Sequence, residues 1–397
     1  MKISFLLPTR DRLDYLKLAV ETVRRQDRPE WEIVISDNDS TEDIRGFAES
    51  LNDSRVVYSR TPRFLPVTDN WNTVLALSSG DYVLMLGDDD GLLPGYVGRM
   101  FELIERFERP DVVYTGALLF SYPGVDPEYP NGFLAPNTHA EFFGEATEPF
   151  LLDHERALAA VCRALDFRLA FNFNMQLSLV SRKLVERVRP RGEFFQSAFP
   201  DYYATCVALL EGERVVADPR AEVVIGVTPK SYGYFHLNRR EDEGRAFLEA
   251  GALAPNPGSN INEGWLAAME ALAANYGSKH GLRVNRRRHR MLQAGNVYGR
   301  RLRGSASYEE LAALNARLSP VERVFYRAAG LVARLLVIAL PARLWALLAR
   351  RVAAQFPDWR PPRTEGYANV LEVFERRLTL AEPAGRALRG RHRARAL

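Results

Sequence analysis

Residues 84–95 read LMLGDDDGLLPG, and the three consecutive carboxylates Asp88, Asp89 and Asp90 decide how the rest of the chain is understood. The run 82–86 is short, apolar and rich in β-formers, and Gly87 ends it. A buried strand therefore delivers three acids to its carboxyl end, where open α/β sheets take their ligands. Like charges this close repel unless a cation or solvent screens them. All-oxygen ligation of this kind suits Mg2+ or Mn2+ carrying a substrate diphosphate. An isolated acidic triplet is as readily a solvated turn, so the flanking sequence has to choose.

Outward from the triplet, strand and helix patterns alternate. Residues 3–7, 32–36, 55–58, 82–86 and 111–115 read as strands, and 13–25, 41–51, 69–77 and 94–107 as helices. That alternation predicts right-handed βαβ units and a mostly parallel α/β sheet flanked by helices. Residues 120–149 dissolve into Pro, Gly, Asn and aromatics, an irregular stretch of the kind that is more often functional than a plain connector. Order returns with helices at 153–165 and 201–211 and strands at 176–181, 214–217 and 222–227. The segment 228–262 looks like a flexible piece over the site, and everything past Gly264 reads as helix.

The composition is that of a folded protein: 397 residues, 47% apolar and 26% charged. Two cysteines, Cys162 and Cys206, supply neither a disulfide framework nor a cysteine-rich metal site. The scarcity of cysteine fits a reducing cytoplasm, and the apolar stretch in MKISFLLPTRDR is too short for a signal peptide and reads as a strand. The net charge of +3 hides an asymmetry: residues 279–397 hold 25 Lys+Arg against 8 Asp+Glu, a balance of +17. A basic C-terminal third beside an acidic remainder suggests catalysis on one side and attachment to something anionic on the other.

Two further strand ends share the edge with the acids. The first closes in Pro8-Thr9-Arg10, whose amides, hydroxyl and guanidinium suit a nucleotide. The second closes in SDNDSTED, bringing Asp37 and Asn38 to the same place. Asp37 is expected to face the ligand, with Asp39 or Ser40 capping a helix from about residue 41. With these pieces, FLLPTRDR, IVISDNDSTED, DNWNTVLALSSGDYVLML and GDDDGLLPG, the chain resembles the family 2 glycosyltransferases of the GT-A fold over about its first 120 residues, and more loosely to about 230. The likeness is to bacterial members that decorate lipopolysaccharide and other surface glycans.

That resemblance implies roles. Asp89 takes the metal position with Asp90 in support, and the metal is Mn2+ or Mg2+. Asp88 holds the ribose, Asp37 and Asn38 the nucleobase or ribose, and Pro8, Thr9 and Arg10 make the contact from the first strand. The family commonly carries Asp where this chain has Gly87. It also predicts a general base on the acceptor side, for which Asp201 in FFQSAFPDYYATCVALL is the candidate; an N-cap aspartate is the structural alternative. Lys230, Ser231 and His236 in TPKSYGYFHLNRR could close on the diphosphate, His236 as a further ligand.

Within 319–355 the apolar run 328–348 is broken by Arg334, Pro341 and Arg343, which disfavours a spanning helix and fits helices lying in a membrane interface. Packing on the catalytic sheet or forming a homo-oligomer are the alternatives. The tail RALRGRHRARAL is expected to be disordered and drawn to anionic lipid, and RRRHR at 286–290 comes without a nucleic-acid-binding motif. The expected organisation is a catalytic domain at 1–230, a loop over the site at 231–262 and a basic helical region at 263–397. The expected activity is inverting, metal-dependent transfer from a UDP, GDP or dTDP sugar to a saccharide or polyprenyl-linked acceptor, in the cytoplasm or peripheral on the inner face of the cell membrane. The rival outside enzymology is a catalytically silent GT-A-like scaffold at the membrane. A nucleotidyltransferase would want a GxGTR-like loop where PTRDR stands, and a processive synthase a QxxRW segment.

Overall fold

The computed structural model describes residues 1–237, 257–302, 306–339 and 363–381. The chain begins β1 (Ile3–Thr9), α1 (Leu13–Arg24), β2 (Trp31–Asp37), α2 (Ile44–Ser50), β3 (Val56–Arg60), α3 (Val67–Leu77) and β4 (Tyr82–Met85). It continues with β5 (Gly91–Leu92), α4 (Tyr96–Arg106), β6 (Val112–Ser121), β7 (Phe133–Asn137), β8 (Phe150–Leu152) and α5 (His154–Leu165). Then come β9 (Ser178–Ser181), α6 (Arg182–Val188), α7 (Pro200–Glu211) and β10 (Val215–Val227). Helices follow: α8 (Tyr232–Leu237), α9 (Asn260–His280), α10 (Arg286–Leu302), α11 (Tyr308–Arg317), α12 (Pro320–Ala339) and α13 (Val370–Ala381).

The strands form one sheet in the order β3-β2-β1-β4-β9-β6-β10-β5, with β7 beside β6 and β8 beside β10. β1 pairs parallel with β2 and β4, β2 with β3, and β6 with β10. β9 runs antiparallel between β4 and β6, so the sheet is mixed rather than mostly parallel. The α/β class is as the sequence predicts. Connections leave β1 toward β2 and β3 on one side and return to place β4 on the other. The order therefore reverses between β1 and β4, and a crevice opens at their carboxyl ends.

Both faces of this sheet are covered, which is why its strands read as unbroken apolar runs. Ile3, Phe5, Leu7, Ile33 and Leu84 are fully buried, and α1 lays Leu16, Ala19, Val20 and Val23 against them. Helix α4 starts after Gly95, whose φ of 81° is left-handed backbone that suits glycine. It buries Val97, Met100, Leu103 and Ile104 on one stripe.

Several readings are corrected. The two strands expected at 214–217 and 222–227 are one strand, β10, whose register slips between Asp218 and Ala221 and between Ala221 and Val223. Pro219 has no N–H for a ladder, so the strand bulges there instead of ending. The irregular stretch 120–149 holds β7 and buries Phe133, Phe142 and Phe143. Helix α2 begins at Ile44, and its cap is Asp43, which accepts from the Gly46 N–H at 2.8 Å; neither Asp39 nor Ser40 caps it. Residues 41 and 42 are held instead by Asp11, whose Oδ1 accepts from the Thr41 and Glu42 amides.

The C-terminal helices do not stand apart. On α9, Trp265, Met269 and Leu272 join the main core, and Trp265 Nε1 donates to the Ala164 carbonyl at 2.9 Å. On α13, Val370 and Val373 join a second buried cluster with Leu93, Phe120 and Val224, and Phe374 is fully buried beside them in sequence. Thr364 bridges to Leu134 of β7. Among the described residues no helix is long and apolar enough to cross a membrane. The apolar run beyond residue 339 and the basic tail from 386 lie outside the described residues.

Candidate active site

β4 delivers the acidic triplet to the crevice, and each carboxylate has its own surroundings. Asp88 accepts from Thr9 Oγ1 at 2.7 Å and from Arg12 Nη1 at 2.9 Å. Asp89 accepts from the same Arg12 nitrogen at 3.3 Å, from Thr228 Oγ1 at 3.1 Å and from Ser231 Oγ. Asp90 turns the other way. Its oxygens take the Gly87 and Gly226 amides, both at 2.8 Å, and Gln176 Nε2 at 2.5 Å. All three are buried.

Burial disfavours charge here, and the neighbours decide how far. It pushes the Asp88 carboxyl up, against the pull of Arg12. For Asp90, burial first and the charge of Asp89 second raise the carboxyl to about 7 in spite of its three N–H donors. Burial alone would lower the Arg12 guanidinium, but Asp88 and Asp89 together lift it above its ordinary value. Arg12 is thus the counter-charge of the cluster.

Two carboxylate oxygens, Asp88 Oδ1 and Asp89 Oδ2, converge on one nitrogen of Arg12, with the hydroxyls of Thr228 and Ser231 alongside. Acids already aimed at one cationic atom make an oxygen donor set that fits Mg2+ or Mn2+. Among the described residues no group of three or more His, Cys, Asp or Glu converges on a metal position, so diphosphate and water would complete the shell. Gly87 leaves room for the Asp90 carboxylate in this turn. A Cβ there would lie 2.5 Å from Asp90 Oδ2, so the family's aspartate cannot stand at this position unless Asp90 moves.

Asp37 ends β2 beside Thr9, its register partner. Its carboxylate is fully buried, and it accepts from the Ser40 amide at 2.9 Å, Tyr58 Oη at 2.7 Å and Arg60 Nη1 at 3.2 Å. Asn38 is held to both the N–H and the carbonyl of Leu65 at 2.8 Å. Pro8 and Thr9 sit at the edge of β1, whereas Arg10 swings outward to lie over the Phe64 ring at 3.9 Å.

Asp201 sits in the first turn of α7, where Pro200 takes the position that needs no N–H donor. It caps no other residue's amide among the described bonds except that of Tyr202, at 3.0 Å. Burial raises its carboxyl to about 7. Its sequence neighbours pack against segments that carry partners of the acids. Phe199 packs on Tyr232, next to Ser231, with ring centroids 5.4 Å apart. Tyr202 stacks on Phe173 at 4.1 Å, and that segment runs on to Gln176, the partner of Asp90. From α3, Asn72 bonds the Phe195 backbone in both directions and Thr68 donates to the Ser197 carbonyl, fixing the approach to α7.

Lys230 Nζ donates to the Asp11 carbonyl and lies 3.6 Å from Glu42, so it closes on the loop after β1. His236 lies on α8, but its side chain is outside the described residues. Sequence reasoning missed Arg12, Thr228 and Gln176. The sequence held half of the signal for Arg12: a buried acid cluster needs a cation, and PTRDR offers two, Arg10 and Arg12.

Comparison with known proteins assigns a family to part of the chain. Residues 4–170 match the family model described as Glycosyl transferase family 2. A curated relative, GalNAc(5)-diNAcBac-PP-undecaprenol beta-1,3-glucosyltransferase of Campylobacter jejuni, is 31% identical over 104 residues, 25% of this chain and 34% of the relative. Abequosyltransferase RfbV of Salmonella typhimurium is 32% identical over 97 residues, 23% of this chain and 29% of the relative. The chain thus spans a minor part of the length of these curated relatives. A crystal structure of S. aureus TarS 1-349 in complex with UDP-GlcNAc superposes with a TM-score of 0.49 at 15% identity, over 76% of this chain and 72% of that chain. Residues 4–170 of this chain are accordingly a family 2 glycosyltransferase domain on a GT-A-like α/β fold.

Proposed function

We propose that this chain transfers a sugar, with inversion, from a nucleoside diphosphate sugar (UDP, GDP or dTDP) to a hydroxyl of a saccharide or polyprenyl-linked acceptor. The observation that carries the reading is the convergence of Asp88 and Asp89 on one cationic atom, beside Thr9, at the switch point of the sheet. The named activities of the curated relatives, both sugar transfers, support it.

On this reading the nucleoside lies over the ends of β1 and β2, against Pro8, Thr9 and the Asp37–Asn38 turn. Asp37 and Asn38 act by shaping that turn, since their own polar atoms are engaged within it. Mg2+ or Mn2+, held by Asp89 with Asp88, would supply charge neutralisation for the leaving diphosphate. Asp90 keeps the turn in shape through its three N–H partners. Asp201 accepts the acceptor's proton as the new C–O bond forms and the bond to the diphosphate oxygen breaks. A carboxyl raised to about 7 suits that task near neutral pH. Lys230 and Ser231 lie on the exit from β10, where they can trade their present partners for phosphate oxygens. The catalytic part is taken as 1–230, with a segment over the site at 231–262 and a basic helical part at 263–397.

Isothermal titration of UDP, GDP and dTDP, each with and without Mn2+, tests this directly. Metal-enhanced binding of one nucleotide is expected. Absence of binding by all three would return the chain to the scaffold reading.

A further inference from the structure

Helix α12 (Pro320–Ala339) presents an apolar stripe to solvent. Val321 is 78% exposed, Val324 69%, Phe325 63%, Leu331 60% and Val332 53%. At 100° per residue these side chains, with Ala328 between them, fall on one arc about 120° wide. The opposite side of the helix is the one that packs. Tyr326 stacks on Tyr298 of α10 with ring centroids 6.2 Å apart, and Glu322 meets Arg290 at 3.5 Å. Tyr326 rests on the small cluster of Ala294, Val297, Ala306, Leu314 and Leu318. The stripe is thus the face turned away from the body of the protein, where large apolar side chains are not normally concentrated.

What flanks the stripe selects its occupant. Arg327, exposed, stands beside its edge on the helical wheel, and the chain from 279 onward carries a balance of +17. A second copy of the chain would bring that positive charge against itself. An anionic surface complements it. We infer that α12 is an interfacial helix: Val321, Val324, Phe325, Leu331 and Val332 enter the acyl boundary of an anionic bilayer while Arg327 meets lipid phosphate. This docking involves none of the residues of the acidic turn, so it stands or falls apart from the transfer reaction.

The test uses the full chain in flotation with vesicles of phosphatidylcholine, alone or doped with phosphatidylglycerol, without nucleotide or acceptor. The wild type should float with the doped vesicles and much less with the neutral ones, and added salt should weaken it. Val324→Glu with Phe325→Glu should lower partitioning by about tenfold or more, since two buried side chains are lost. Its melting temperature and nucleotide titration should not change. Arg327→Glu, which leaves the stripe intact, should weaken binding to doped vesicles only. Equal flotation of the double variant and wild type overturns the inference. So does failure of the wild type to float, and light scattering and melting then tell what covers the stripe. A dimer that the double variant dissociates means a second copy. A monomer that the double variant destabilises means that residues 340–362 of the chain itself cover it.

Discussion

The carboxyl of Asp201 holds its proton more tightly in the folded chain, at about 7, than its ordinary value of 3.8 allows in the unfolded one. Below pH 4 both states are protonated. Between there and 7 only the folded state keeps the proton, so this contribution to stability is lost as pH rises through that window. Asp201→Asn should therefore match the wild type at pH 4 and exceed it by on the order of 2–4 kcal/mol at pH 8, in melting curves taken across that range. The same variant should lose about 10²–10⁴-fold in kcat with nucleotide affinity intact. A residue serving only as structure would not gain stability while losing turnover. Arg12→Gln makes the complementary case. Without the guanidinium, Asp88 and Asp89 face each other unscreened, and the metal-free protein should lose about 3–5 kcal/mol in urea denaturation. Millimolar Mn2+ should restore much of that loss while changing the wild type little. That Asp88 and Asp89 follow a buried strand and that Asp201 opens a helix was legible in the sequence, because an apolar run closed by acids and a Phe-Pro-Asp helix start are local patterns. Arg12 was not, because Arg10 and Arg12 are equivalent on paper, and only the first turn of α1 separates the one that faces the acids from the one that stacks on Phe64.

Elements meet at two glycines whose missing side chains set the fit. A Cβ on Gly226 of β10 would fall 1.9 Å from the Asp89 carbonyl oxygen, and one on Gly264 of α9 would fall 1.5 Å from the Phe199 ring. Each substitution with Ala overpacks its junction and should cost about 1–3 kcal/mol, but the functional outcomes should differ. Gly226→Ala pushes β10 off the acidic turn, so metal-dependent nucleotide binding should fall. Gly264→Ala displaces Phe199, two residues before Asp201, so kcat should fall while nucleotide binding holds. Titration and steady-state kinetics on the two variants separate the cases. At this scale the parallel strands β1–β4 and β6 and the helices between them were readable, because buried parallel strands are apolar runs and their helices keep a 3.6-residue period. The antiparallel pieces were not. β5 has two residues and β8 three, too few to show a period, and their pairing with β10 is decided by tertiary contact.

For the molecule as a whole, the return of the chain at 363–381 matters most. Composition marks that stretch as part of a basic C-terminal region, yet its helix is seated on the catalytic sheet. Arg363 lies over the rings of Tyr129 and Phe133, at 4.3 and 4.2 Å, and Arg25 pairs with Glu375 at 2.7 Å. Burying Val370, Val373 and Phe374 is worth about 1.5–3 kcal/mol each by area. Phe374→Ala should thus destabilise the fold by about 3–5 kcal/mol, measured in urea, although it lies 284 positions after Asp90 in sequence. A truncation ahead of 363 should fail for the same reason, so attachment of α12 to a surface has to be probed by point changes. Nothing in the local pattern of residues 370–381 says which sheet they will find; that information sits in the apolar pocket formed by Leu93, Phe120 and Val224.

One oxygen near the crevice has three claimants. Asp89 Oδ2 receives Arg12, Thr228 and Ser231 at once. An incoming cation or sugar hydroxyl that wants this lone pair must evict one of them. Two of the three belong to the stretch leaving β10, so giving up either hydroxyl would free that stretch, whereas giving up Arg12 would free the start of α1 instead. Where a hydroxyl is the one to yield, occupancy and loosening would be a single event.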